Sequence, residues 1–152
     1  MMTPTDCENM LQKLRVLYVE DDADTRQELT RFLKKRVGHV SSALNGAEAL
    51  TLVRQMTFDT VITDLRMPDT DGIAFVKSLR EAGSQMPVII TSAFSDTETI
   101  LQTVDLAIVK YCVKPVNTED LMLVLERIAT DLHCRRIRTA FSSPDLDREQ
   151  RL

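Results

Sequence analysis

No run of apolar residues in this chain of 152 residues approaches the roughly 18 that a membrane-spanning helix needs. The first residues, Met1 to Asn9, are polar and carry Asp6 and Glu8, so they lack the basic end and apolar centre of a secretory signal. Cysteine is scarce. Cys7, Cys112 and Cys134 are odd in number and widely spaced, which matches neither a zinc-ligand pattern nor a disulfide framework and predicts reduced thiols in a cytoplasmic protein. Neither G-x-G-x-x-G nor the P-loop pattern occurs, which argues against the common nucleotide-binding folds, and there is no internal repeat or low-complexity tract. The charge excess is small: 19 basic against 23 acidic residues leave a formal net charge of -4, which argues against a nucleic-acid surface spread over the whole chain. With 43% hydrophobic and 28% charged residues the composition is that of an ordinary globular domain, long enough to bury a core without disulfides or metal.

Five short apolar runs alternate with amphipathic segments. Arg15 to Val19 reads as a buried strand that stops at Glu20-Asp21-Asp22, and a helix from Ala23 follows, with Leu29, Phe32, Leu33 and Val37 at helical spacing and Gly38 as its stop. Val40 to Leu44 is a weaker strand, with His39 as an alternative start, before a helix that Asn45 caps and that runs through Gln55. Thr60 to Thr63 is a third strand ending at Asp64, and the punctuated segment Leu65 to Gly72 is a loop. Ile73 to Ala82 predicts a helix, Pro87 to Ser92 a fourth strand, Asp96 to about Ala107 a further helix, and Lys110 to Val113 a fifth strand. A last helix, capped by Asn117 or Thr118, carries Leu121, Val124, Leu125, Ile128 and Leu132 inward. Continuous apolar strands separated by amphipathic helices imply an α/β fold: a parallel sheet covered on both faces by five helices. In such a sheet the strand C-termini share one edge, and that edge holds the site. Glu20, Asp21, Asp64, Ser92 and Lys114 all fall there.

Three acids brought together from two strand ends repel one another, so something must offset them. A magnesium ion does so with a few carboxylates plus water, and Lys114 supplies a further positive charge. Asp22 and Asp24 read instead as a helix cap and a first-turn acid. Neither His39 nor His133 is near, and Cys112 and Cys134 are poorly placed as nucleophiles. A carboxylate can itself attack a phosphoryl group, with metal and lysine holding the equatorial oxygens. Asp64, lying between the first-strand acids and the Ser92 and Lys114 side, is the natural acceptor. Asp21 would hold magnesium directly and Glu20 directly or through water.

These residues resemble the receiver domain of two-component response regulators, of CheY-like type. The resemblance covers Arg15 to about Leu132 and is carried by Val-Leu-Tyr-Val-Glu-Asp-Asp (16–22), Val-Ile-Thr-Asp-Leu-Arg-Met-Pro-Asp-Thr-Asp-Gly (61–72), Pro-Val-Ile-Ile-Thr-Ser-Ala (87–93) and Tyr-Cys-Val-Lys-Pro (111–115). It implies a doubly wound sheet in the order 2-1-3-4-5. It implies that Asp64 accepts phosphate from the phosphohistidine of a sensor kinase or phosphotransfer protein, with Mg2+ on Asp21, Asp64 and the Arg66 backbone carbonyl, and Glu20 completing the pocket. Ser92, chosen over Thr91 because it precedes Ala93, becomes the switch hydroxyl, Lys114 its ion-pair partner and Tyr111 the aromatic that turns with it. The Lys114–Pro115 bond is expected to be cis. Two departures stand out: Leu106-Ala-Ile-Val109 before the fifth strand, where small residues are usual, and Asp69 where the loop often has glycine. The resemblance also implies that Arg66 and Phe94 flank the route of the hydrolytic water, so slow autodephosphorylation, quickened by alanine at Phe94, is expected.

The output face implied is the helix from about Thr97 to Ala107, the fifth strand and the last helix, meeting a downstream protein, an output domain or a second copy of the chain. No turnover enzyme is expected beyond the domain's own aspartyl phosphorylation and dephosphorylation, and neither direct nucleic-acid nor membrane contact. The expected division is an N-terminal extension (1–14), the receiver body (15–137) and a tail or linker start (138–152). Competing readings are a receiver-like binding module without phosphotransfer, a receiver cut from a larger protein, and an aspartyl phosphatase, for which the chain has no room for a cap.

Overall fold

Val16 to Val19 is buried along its whole length because both of its faces are covered, and the same holds for the third and fourth strands. The computed structural model describes residues 3–67 and 71–141. In chain order the elements are α1 (Pro4–Leu11), β1 (Arg15–Val19), α2 (Ala23–Lys34), β2 (His39–Ala43), α3 (Gly46–Gln55), β3 (Thr60–Asp64), α4 (Gly72–Glu81), β4 (Val88–Ser92), α5 (Thr97–Leu101), β5 (Lys110–Val113) and α6 (Thr118–Phe141). All strand pairs are parallel, in the order β2-β1-β3-β4-β5. Alternation along the strands divides the core. Val16, Tyr18, Ile62, Ile89 and Cys112 pack under α1, α2 and α6, whereas Leu17, Val19, Val61, Val88 and Ile90 pack under α3 and α4. The edge strand β2 is only half-buried, which is why its apolar signal is weak.

Six helices stand among the described residues where five are expected, because the polar N-terminal segment folds. Thr3 caps α1 in a reciprocal box with Asp6, Pro4 occupies the first turn, and Leu11 and Leu14 are buried against α2 and α6. Gly38 is where this segment meets the body. Its N–H donates to the Leu11 and Leu14 carbonyls at 3.0 and 3.1 Å, and a Cβ there would lie 2.0 Å from the Gln12 carbonyl oxygen. The glycine therefore serves a close backbone approach and not the helix end expected of it, since α2 stops at Lys34 with Lys35 as its cap.

The helix expected to Ala107 ends at Leu101, followed by a 3-10 turn over Val104–Leu106. The Thr103 hydroxyl donates back to the Ile100 carbonyl at 2.7 Å, and Ala107 adopts the left-handed region at φ 55°, which closes the segment. The Arg80 guanidinium holds this turn: Nε donates to the Leu106 carbonyl at 3.0 Å and Nη1 to the Met86 carbonyl at 2.8 Å. The last helix runs to Phe141 and is exposed from Cys134 to Ala140. Asp69 and residues 142–152 of the tail lie outside the described residues. No helix among those described is long and apolar enough to cross a membrane, and Cys7, Cys112 and Cys134 are all free thiols.

Candidate functional site

Order reversal at β1 and β3 leaves a crevice at their C-terminal ends, the place where open α/β sheets bind ligands. Strand alternation puts Glu20, Asp64 and Lys114 on the same side as Tyr18, Ile62 and Cys112, above the α2–α6 half of the core. Glu20 is 1% exposed and Asp64 7%, while Asp21 is exposed at the rim. One carboxylate oxygen from each of Glu20, Asp21 and Asp64 lies within 4.8 Å of the others. Lys114 comes across from the end of β5, with Nζ 2.8 Å from Glu20 Oε2 and 3.2 Å from Asp64 Oδ2. The main chain leaves β5 through a cis Lys114–Pro115 bond, as expected, and Lys114 N–H donates to the Ser92 carbonyl at 2.7 Å.

Burial pushes the Asp64 carboxyl above the usual aspartate range, against the opposing pull of Lys114. Burial raises Glu20 in the same way, with its hydrogen bond from Lys114 acting against it. Burial works to lower Lys114, but the hydrogen bond to Glu20 and the charge of Asp64 outweigh it and the ammonium is held above its ordinary value. One lysine therefore does not satisfy the two buried acids, and the donor set is three hard carboxylates around a small space. That set suits a hard divalent cation. Gly72, at the start of α4, comes close to the end of β3: a Cβ there would lie 2.1 Å from the Asp64 carbonyl oxygen. Asp22 is a cap, as expected: its side chain accepts from Thr25 N–H at 2.9 Å.

On the other side, Ser92 is 1% exposed and its hydroxyl accepts from Phe94 N–H at 3.0 Å. The Tyr111 hydroxyl donates to the Phe94 carbonyl at 2.6 Å, and the Arg66 guanidinium stacks on the Phe94 ring at 4.3 Å from its centroid. Phe94 thus joins Ser92, Tyr111 and Arg66. Thr91, the competing hydroxyl, pairs in register with Asp64 and is fully buried with no partner for its Oγ1. Two guanidinium contacts escaped sequence reasoning: Arg80 on the 3-10 turn, and Arg26, whose Nη1 donates to the Glu20 carbonyl at 2.9 Å. The spacing of Arg26 from Asp21, just inside the following helix, was the available signal for the second. Nothing in the sequence pointed to the first.

A family model described as "Response regulator receiver domain" matches residues 16–126. The transcriptional regulatory protein ZraR of Escherichia coli (strain K12) is 32% identical over 118 residues, 78% of this chain and 27% of that protein. The transcriptional regulatory protein PrrA of Mycobacterium leprae (strain TN) is 33% identical over 131 residues, 86% of this chain and 54% of that protein. This chain thus spans only part of the curated relatives it matches. Among solved structures, the receiver domain of the Francisella response regulator 1452 aligns with a TM-score of 0.73 and 28% identity, covering 79% of this chain and 99% of that one. The Vibrio cholerae chemotaxis protein CheY4 aligns with a TM-score of 0.71 and 29% identity, covering 76% and 98%. Sheet order, the acid cluster at the strand ends, the lysine bridging it and these matches agree, and the chain belongs to the response regulator receiver family.

Proposed function

We propose that Asp64 is the phosphoacceptor of a phosphorelay and that Glu20, Asp21, Asp64 and the Arg66 backbone carbonyl form the Mg2+ site serving it. The observation that carries this reading is Lys114 reaching both Glu20 and Asp64 beside an acid cluster that it leaves uncompensated. When bound, Mg2+ supplies charge neutralisation for the acids and for the incoming phosphoryl oxygens. An Asp64 carboxylate oxygen attacks the phosphorus of a phosphohistidine on the partner kinase or phosphotransfer protein. The O–P bond forms, the N–P bond breaks, and the imidazole leaves with its electron pair and takes up a proton. Lys114, already beside the acceptor oxygen, pairs with the transferred phosphoryl group, and Ser92 leaves Phe94 N–H to donate to it. The phosphoryl group adds about -1.5 to -2 charge and strong acceptor oxygens.

Tyr111 follows, since its bond to the Phe94 carbonyl depends on where the segment after β4 lies. The change spreads to α5, the 3-10 turn and loop after it, β5 and α6, where Ile100, Leu101, Val104, Val109, Val113 and Leu123 are exposed. Receiver domains work with histidine kinases and output domains. This apolar face is the one we assign to the output, either a downstream protein, a further domain or a second copy of the chain, with nucleic acid not touched by this domain itself and the whole acting in the cytoplasm. Arg66 and Phe94 set the phosphoryl lifetime, the ring excluding water and the guanidinium reaching phosphate oxygens. The division into extension (1–14), receiver body (15–137) and linker start (138–152) is part of the same proposal, with the extension folded onto the body.

Beryllofluoride, a phosphoryl analogue, provides the test. With Mg2+ present it should shift the NMR signals around Ser92 and Tyr111 in the wild type and leave Asp64→Asn unchanged. An equal response in both proteins would refute Asp64 as acceptor.

A further inference from the structure

The acid cluster depends on how β1 hands the chain to α2, and one side chain holds that loop from its carbonyl side. Arg26, in the first turns of α2, donates from Nη1 to the Glu20 carbonyl at 2.9 Å and to the Asp21 carbonyl at 3.3 Å. These are the backbone oxygens of the two β1-end residues whose carboxylates meet that of Asp64. The other ties fall elsewhere: Glu20 N–H donates to the Ala43 carbonyl at 3.0 Å, and Asp22 N–H donates to Glu20 Oε1 at 3.2 Å. Asp21 is the exposed member of the cluster, and among the described residues its side chain makes no hydrogen bond that would aim it. The backbone therefore sets where its Cα and Cβ sit, and with them how closely its carboxylate can approach Asp64.

Arg26 is free for this task. Among the described residues it forms no ion pair with a carboxylate. The 270 Å³ cavity it borders is lined by Gln27, Thr30, Arg31, Lys34 and Ser42, with no acid. Its guanidinium is directed at the backbone, and the two N–H groups of one nitrogen, Nη1, meet the two carbonyls from within a rigid plane, whereas a lysine ammonium is a compact, strongly hydrated charge on a shorter, flexible stem.

We propose that Arg26 is a positioning residue of the metal site: by tethering the Glu20 and Asp21 carbonyls it fixes the carboxylates of both residues against Asp64. This rests on reading the cluster as a Mg2+ site. The charge of Arg26 acts in the opposite sense, because a cation beside a divalent-ion site weakens binding, and the two effects are separable by their signs.

The experiment is calorimetric titration of Mg2+ into the full chain as wild type, Arg26→Lys, Arg26→Gln and Asp21→Asn, with thermal unfolding of each recorded without Mg2+. Positioning requires both Arg26 variants to bind Mg2+ about tenfold more weakly, the scale of losing a partner that orients a metal ligand. Tighter binding by Arg26→Gln with wild-type binding by Arg26→Lys would mean that only charge acts and would overturn the proposal. A lowered Tm in both variants with unchanged Mg2+ affinity would overturn it in favour of a purely structural role. If Asp21→Asn binds as tightly as wild type, the metal reading itself fails and takes this proposal with it, an outcome distinct from the others because it does not involve Arg26.

Discussion

At the N-terminal end of the sheet, Asp59 accepts from Arg15 N–H at 2.8 Å, Arg15 Nε donates to the Thr57 carbonyl at 2.8 Å, and Leu11 and Leu14 seal the core. At the C-terminal end, two buried carboxyls share one lysine, a buried threonine hydroxyl has no partner, and a serine hydroxyl rests on a backbone N–H it can leave. One end spends its polar groups on satisfying the fold. The other holds buried carboxyls whose ionised form is costly, a cost that a cation can relieve. Stability should therefore depend mainly on the first end and activity on the second, and substitutions at the two ends should give opposite signatures.

Replacing Asp64 with Asn gives the largest expected contrast. Phosphoryl incorporation from a small acyl phosphate, followed by intact mass, should vanish, while the metal-free protein becomes more stable. A carboxyl whose folded pKa is raised stabilises the fold while protonated, and that contribution is lost as pH rises through the folded pKa. For Asp64, raised by burial, the ionised form at neutral pH is therefore the costly one. Calorimetry should show a Tm gain of about 2–4 °C at neutral pH, shrinking as pH falls into the carboxylate range. A loss of Tm at neutral pH would break the comparison.

Leu14→Ala probes the opposite end. Leu14 is 0% exposed, so truncation should cost about 2–5 kcal/mol in urea unfolding. Mg2+ affinity of the protein that remains folded should match wild type. If Mg2+ binding fell with stability, the two ends would not be separable.

Two smaller effects sharpen the account. Phe94→Ala should quicken loss of the phosphoryl group about two- to tenfold, under about 1.4 kcal/mol of barrier, measured as decay of phosphoprotein after removal of donor. Equal decay would reduce Phe94 to packing. Ala107→Gly should stabilise the fold by about 0.5–1 kcal/mol, since Ala107 sits at φ 55° and glycine removes most of that strain while loosening the unfolded chain.

Much of this design is legible in the residues themselves. β1, β3 and β4 are covered on both faces, so they read as unbroken apolar runs, and the acids that end β1 and β3 follow from the alternation of strands and helices. α1 was hidden because its composition is polar and only Met10, Leu11 and the following Leu14 face the core, although Thr3 and Asp6 at capping-box spacing marked its start. The 3-10 turn after α5 ends on a left-handed Ala107, a residue type that gives no notice of that conformation. Arg26 and Arg80 act on backbone carbonyls, which every residue carries, so no partner residue type betrays them.

The central claim, that the carboxylate of Asp64 receives the phosphoryl group, is tested most directly by reducing the phosphorylated protein with borohydride and sequencing its peptides by mass spectrometry. The account requires homoserine at position 64, formed only when both Mg2+ and donor were present. Homoserine at Asp21 or at another acid, or none anywhere despite incorporated phosphate, would contradict it.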